Sequence, residues 1–202
     1  MAHEGLWEQL EKLDGQQTAQ RAKCQYVTNQ QRYITTLLNT GYVVNLADKE
    51  IFSVQDSSEQ QPAEFLEQLC LLAYLINAKD LPLTYKLVRA EALPGGQFFF
   101  RGIHSIPTEK LEEAFGEQPE ALHQIAEQFG AKRCEFGDAS IELYVLPRVP
   151  LTIVIWREDE EFDARASILF DQTAGAHLPL DALLAAVNLT VEALVKASAA
   201  SN

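Results

Sequence analysis

FGDASIELYVLPRVPLTIVIWREDEEFDARASILFD, residues 136–171, holds three apolar runs, Ile141 to Leu146, Leu151 to Trp156 and Ala166 to Phe170. The runs are separated by Pro147-Arg148-Val149-Pro150 and by an acidic corner, Glu158 to Glu161. Proline supplies no ladder donor, so the first two strands are expected to stop at Pro147 and Pro150. Leu151 to Trp156 is apolar at both parities apart from Thr152, which is the pattern of a strand covered on both faces. Two helical layers, one above and one below this strand, are therefore expected.

Working outward, the segment before this block contains Leu93-Pro94-Gly95-Gly96 between Tyr85 to Ala90 and Gln97 to Arg101, which reads as a hairpin with a glycine turn. Thr108 to Phe115 and Pro119 to Phe129 read as two short helices, each closed by a glycine, and Lys132 to Phe136 as a further strand. Upstream, Phe65, Leu66, Leu69, Cys70, Leu72, Ala73 and Ile76 cover most of a helical circumference, so a central helix is expected to begin at Pro62. Gln55 to Gln61 reads as a loop. Tyr33 to Leu38, Tyr42 to Leu46 and Glu50 to Val54 read as a meander of short strands. The first 30 residues read as a helical segment, with Leu6, Trp7, Leu10 and Leu13 at helical spacing. Downstream, Pro179 to Ala197 carries Leu183, Leu184, Val187, Val191, Leu194 and Val195 on one face and reads as the second long helix, with Ser198 to Asn202 frayed.

These elements imply one α+β domain over residues 1–202: a mixed, mostly antiparallel sheet covered by two longer helices, with short helices at the periphery. A chain of 202 residues with 47% hydrophobic residues is long enough to bury a core. The formal charge of −13 argues against nucleic acid as a partner, because phosphate binding rests on cationic groups. No basic start precedes an apolar segment at Met1, and the run Leu69 to Ile76 is far shorter than the roughly 20 residues of a bilayer crossing. A cytoplasmic protein with no membrane partner is the expectation. Cys24, Cys70 and Cys134 are scattered without metal or redox spacing and read as reduced thiols.

The block from Leu146 to Asp171, with the preceding Phe136 to Ser140, Leu93 to Gly96 and Phe98 to Phe100, resembles the bacterial and archaeal family named domain of unknown function 3786. The resemblance covers most of the chain after the first helix and implies no activity. Some relatives carry an added iron–sulfur segment, which would suggest an assembly partner for a metalloenzyme; this chain has no matching cysteine cluster.

The residues themselves offer two kinds of site. Arg148, held between two prolines, needs a partner for its fixed donors: either an internal carboxylate from Asp138, Asp171 or the acidic corner, or a bound carboxylate or phosphate. With Phe98, Phe100 and Trp156 it would form a groove for a small molecule, cofactor or protein partner of a non-enzymatic accessory protein. Alternatively, Asp159, Glu161, Asp171 and His177, with His104 nearby, would form the oxygen-rich or mixed ligand set of a metal-dependent hydrolase or lyase. Each of these residues also has a plain role as a cap, a solvated corner or a core group. No cofactor is specified, and no serine elbow, Walker loop or dinucleotide glycine loop is present.

Overall fold

The computed structural model describes residues 3–54 and 60–201. The chain begins with α1 (Glu4–Glu11) and α2 (Gly15–Arg21), then builds a first sheet from β1 (Gln25–Val27), β2 (Arg32–Leu37), β3 (Thr40–Asn45), β4 (Glu50–Val54) and β5 (Gln61–Pro62). Helix α3 (Phe65–Asn77) leads to β6 (Leu87–Val88), the one-turn α4 (Gly96–Phe99), α5 (Glu109–Phe115) and α6 (Ala121–Ala126). The second sheet is completed by β7 (Lys132–Arg133), β8 (Ala139–Leu146), β9 (Val149–Trp156) and β10 (Arg165–Asp171), before α7 (Ala174–His177) and α8 (Leu180–Ser201). The α+β class holds, but the strands divide into two sheets, ordered β1-β2-β3-β4-β5 and β6-β10-β9-β8-β7, and every pairing is antiparallel.

Strand β9 is the centre of the second sheet, and its residues Val149 to Ile155 are all buried. On one face Leu151, Ile153 and Ile155 join Ile141, Leu143, Ile168 and Phe170 in the core, and α5, α6 and α8 pack there. Each fully buried Leu or Ile on this face contributes about 1.5–3 kcal/mol. The other face departs from expectation. It is covered not by a helix layer but in part by irregular chain: Leu83 and Tyr85, ahead of β6, and Cys134 and Phe136, after β7, surround Pro150 and Thr152. Gly137, at φ +58°, sits so close that a Cβ there would fall 2.8 Å from the Val154 side chain.

Pro150 lies inside β9 rather than at its border. The ladder with β10 ends at the pair Phe170 and Leu151, and a register shift between Tyr144 and Leu146 loosens the β8 side, so no donor is required of the proline. The first sheet behaves differently, since β2 alternates: Tyr33, Thr35 and Leu37 are buried while Ile34 and Thr36 face water.

Helix α3 starts at Phe65, three residues later than Pro62 suggests, because Pro62 is claimed by β5. Its first turn is fixed by Glu67, whose carboxylate accepts the Glu64 N–H at 2.7 Å. Cys70 to Leu75 are buried without interruption, and α3 packs against α8, α1 and α2. Helix α8 runs unfrayed to Ser201 and buries Leu183, Val187, Val191 and Leu194. By length and composition alone it is apolar enough to cross a membrane; in this fold it is a core helix against α3, α5, α6 and β8. Residues 55–59 of the expected Gln55 to Gln61 loop lie outside the described residues.

The hairpin expected around Pro94-Gly95-Gly96 does not form. Only Leu87 and Val88 are extended, and they pair with β10 rather than with Gln97 to Arg101. Gly95, at φ +79°, turns the chain into α4, and Gly96 packs so tightly that a Cβ would meet the Ala90 carbonyl oxygen at 2.0 Å. The aromatic run therefore lies on the one-turn α4 and the residue that caps it, with Phe98 outside, Phe99 half-buried and Phe100 inside, which is not the alternation of a strand.

Candidate functional site

Arg148 enters the interior at the turn between β8 and β9 and is 6% exposed. Its Nε donates to the carbonyl of Arg21, Nη1 to the carbonyl of Leu81 at 2.9 Å, and Nη2 to the Asp80 carboxylate at 2.5 Å. The internal partner is thus Asp80, not Asp138, Asp171 or the acidic corner. Asp138 instead accepts the Arg157 N–H. All three nitrogens of the guanidinium are engaged by the protein, so Arg148 ties the end of α2 and the chain after α3 to the sheet.

Asp171 and His177 flank this knot. Asp171 accepts from the Tyr85 N–H at 2.7 Å, from the Thr84 hydroxyl, and from both the N–H and hydroxyl of Thr173. Burial pushes its carboxyl up, but the hydrogen bonds from Thr173 and Thr84 outweigh this and hold the pKa below the usual carboxylate range. It clamps the roof segment to the sheet. His177 is fully buried, and its Nδ1 accepts the Lys79 N–H at 3.3 Å. Its Nε2 has no partner among the described residues. Burial, reinforced by the Arg148 charge, pushes the imidazole down to about 4, so it is neutral at neutral pH.

The four residues considered as metal ligands are not brought together. Asp159 folds back on its own corner, accepting the N–H groups of Glu161 and Phe162, and the whole corner faces water. Asp171 and His177 are engaged as above. Among the described residues no three His, Cys, Asp or Glu side chains gather where a metal could be held. His104 is exposed and stacks on Phe99 at 4.7 Å.

The aromatic candidates also separate. Phe98 is 75% exposed, whereas Phe100 is buried. Trp156 is at the end of β9 with the Arg165 guanidinium 5.7 Å from its ring centroid. Phe100 lines a cleft of about 350 Å³ together with Arg89, Ser105, Thr108, Glu112 and the strand residues Arg165 to Ile168. Arg148 and Trp156 are not among its lining residues, so the groove expected from Arg148, Phe98, Phe100 and Trp156 is replaced by one in which Phe100 alone remains.

The cleft arises from the way β6 ends. Strand β6 pairs only with Phe170 and Asp171, then departs at Arg89 into a 3-10 turn, Ala90–Ala92. The outer edge of β10 from Arg165 to Leu169 is therefore left without a neighbouring strand. Glu112 of α5 covers one edge donor, accepting the Ala166 N–H at 2.9 Å. Alternation along the strand puts the N–H and C=O of Ile168 on this same open edge. Neither Arg89 nor Arg165 makes a salt bridge among the described residues. Two arginines, two glutamates and the two unpaired edge groups of Ile168 are suited to a ligand with charged and hydrogen-bonding groups, its anionic end held by an arginine.

A profile for the family described as Domain of unknown function (DUF3786) matches residues 14–193. The chain belongs to this family. The match spans the knot and the cleft alike, since Arg21, Arg89, Arg148 and Arg165 all fall within it. No curated protein and no solved structure matches the chain.

Arg89 and Arg165 were not legible as a site from sequence. Arg165 stands at the start of an apolar run like any solvated strand end, and the two lie 76 positions apart. The missing signal was the length of β6, which only the fold supplies.

Proposed function

We propose that the protein is a non-enzymatic, cytosolic binding protein whose ligand occupies the cleft between β10, α5 and the 89–106 segment. The observation that carries this reading is the edge of β10 left open beyond β6, in a cleft lined by Arg89 and Arg165, neither of which has a salt-bridge partner among the described residues, and by Glu91 and Glu112. Arg89 and Arg165 receive an anionic group, carboxylate or phosphate, by charge-assisted hydrogen bonds. Ser105, Thr108 and Ser167 supply hydroxyls to the adjoining part of the ligand.

The test is a titration of the purified protein with a panel of small mono- and dicarboxylates and phosphate esters, followed by backbone amide chemical shifts. Shifts concentrated at residues 89–91, 105–112 and 165–168, abolished in Arg165→Ala and Arg89→Ala variants that remain folded, support the reading. Shifts elsewhere, or none with any compound of the panel, overturn it.

A further inference from the structure

The face of the central sheet that lacks a helix layer holds a separate cavity of about 190 Å³, lined by Glu142 and Thr152 among others. These two are direct partners in the β8–β9 ladder, so their side chains stand next to each other on this face. Thr152 is 2% exposed and is the one polar residue in the run from Val149 to Trp156. The hydroxyls of Thr84 and Thr173 are spent on Asp171, and that of Ser140 accepts the Phe136 N–H. The Thr152 hydroxyl has no hydrogen-bond partner among the described residues, yet it is not sealed in, because it opens on the cavity. Glu142 is half-buried and makes no salt bridge among the described residues, nor does the exposed Lys132 opposite it on β7. The lining contains two carboxylates, Glu142 and Asp171, and neither lysine nor arginine. The Cys134 thiol and the Tyr144 phenol beside it are both pushed up, first by burial and then by the Glu142 charge.

We propose that this cavity is a second binding site, for the primary ammonium group of a small alkylamine or of a lysine side chain. The ammonium donates to the Glu142 carboxylate and the Thr152 hydroxyl, the adjoining pair that has no donor of its own. Asp171, whose oxygens already accept from Tyr85, Thr84 and Thr173, adds negative charge without competing for the N–H groups. The half-buried Leu83 and Leu87 receive the alkyl part, and Tyr85 and Phe136 are aromatic neighbours of the kind that tolerate a cation. A divalent metal is poorly served, since it seeks about six oxygens and the cavity is largely apolar. A quaternary ammonium has no N–H for Glu142 and Thr152.

The probes are n-butylamine, Nα-acetyl-lysine methylamide, 1-butanol, tetramethylammonium and magnesium chloride, each titrated at neutral pH into the full chain, with backbone amide shifts as the readout. The two primary amines are expected to give saturable shifts at residues 134–136, 142 and 151–153, with dissociation constants in the millimolar range or below. The tighter of the two names the source, free amine or lysine side chain. Butanol and tetramethylammonium should bind more weakly by about tenfold, as should n-butylamine to Glu142→Gln, each lacking one charge-assisted hydrogen bond. Thr152→Val, which keeps the shape of the side chain, should weaken n-butylamine by about threefold. Absence of saturable shifts with either amine overturns the site. So does equal binding of butanol, tetramethylammonium or magnesium, or amine binding that a folded Glu142→Gln variant leaves unchanged. The reporting amides are not those of the cleft beside β10, so the two readings stand or fall separately.

Discussion

Arg148 and Arg165 lie at opposite ends of the hairpin formed by β9 and its neighbours, and the fold treats them in opposite ways. Arg148 is inside, and all three of its nitrogens meet oxygens of Arg21, Leu81 and Asp80. Arg165 is at the rim, with a tryptophan face beneath it and a cleft in front. A buried guanidinium is retained when the protein supplies it with acceptors, and at 6% exposure Arg148 presents almost no surface to a ligand. An exposed one costs little to leave open. The lesson is that the more conspicuous arginine in sequence, set between two prolines, is the structural one.

The contrast breaks first at Arg148. Arg148→Met leaves the carbonyls of Arg21 and Leu81 without their donor and is expected to destabilise the fold by about 3–5 kcal/mol, measured by urea denaturation. Asp80→Asn should cost far less, because the Asp80 side chain is 66% exposed and water replaces its partner. If the two substitutions cost the same, the knot is held by the ion pair and not by the carbonyls.

His177 sharpens the same side of the comparison. Its folded pKa, about 4, lies below the ordinary value of 6.5. The unfolded chain therefore takes up the proton first as pH falls, and stability is lost progressively between pH 6.5 and 4. The slope approaches about 1.4 kcal/mol per pH unit, for a total of roughly 3 kcal/mol. His177→Gln removes this portion of the slope. Denaturation curves at pH 7, 5.5 and 4.5 should show wild type and variant differing in pH dependence; parallel curves would show that the imidazole titrates freely.

At the cleft, Gly96→Ala pushes a methyl group into the Ala90 carbonyl. A destabilisation of about 1–3 kcal/mol is expected from the forced shift, with altered amide shifts at Arg89 to Glu91. The smallest effect belongs to Arg165→Ala. Its stability should stay within about 0.5 kcal/mol of wild type, read by thermal melting, while ligand binding is lost. A large loss of stability there would mean that Arg165 is structural too, and the contrast would collapse.

The central strand was readable because burial on both faces leaves a continuous apolar run, and Leu151 to Ile155 is one. What covers the second face was not readable, since a roof of irregular chain has no period. Leu83, Tyr85 and Leu87 alternate over too short a span to announce it. Pro150 misled because a proline forbids a donor, not a strand, and here the donor was superfluous. The Pro94-Gly95-Gly96 turn was correctly placed, but its flanks belong to different structures: Leu87 and Val88 to β6, paired with β10, and Phe98 to Phe100 to α4 and its cap. At the sites, the role of Asp171 had a local signature, the threonine two residues on whose N–H it accepts. The pairing of Arg148 with Asp80 had none, because 68 positions separate them.

The bond from Arg148 to the Arg21 carbonyl joins residues 127 positions apart. On a ribosome that emits the chain amino end first, α1 and α2 emerge long before the turn that fastens them. The same is true of the first sheet, whose Leu38 N–H is received by the carbonyl of Val145. Early-made segments must wait, partly assembled and with apolar surface uncovered, until nearly three quarters of the polypeptide has been synthesised, so nascent-chain protection by chaperones matters most for the front of this molecule.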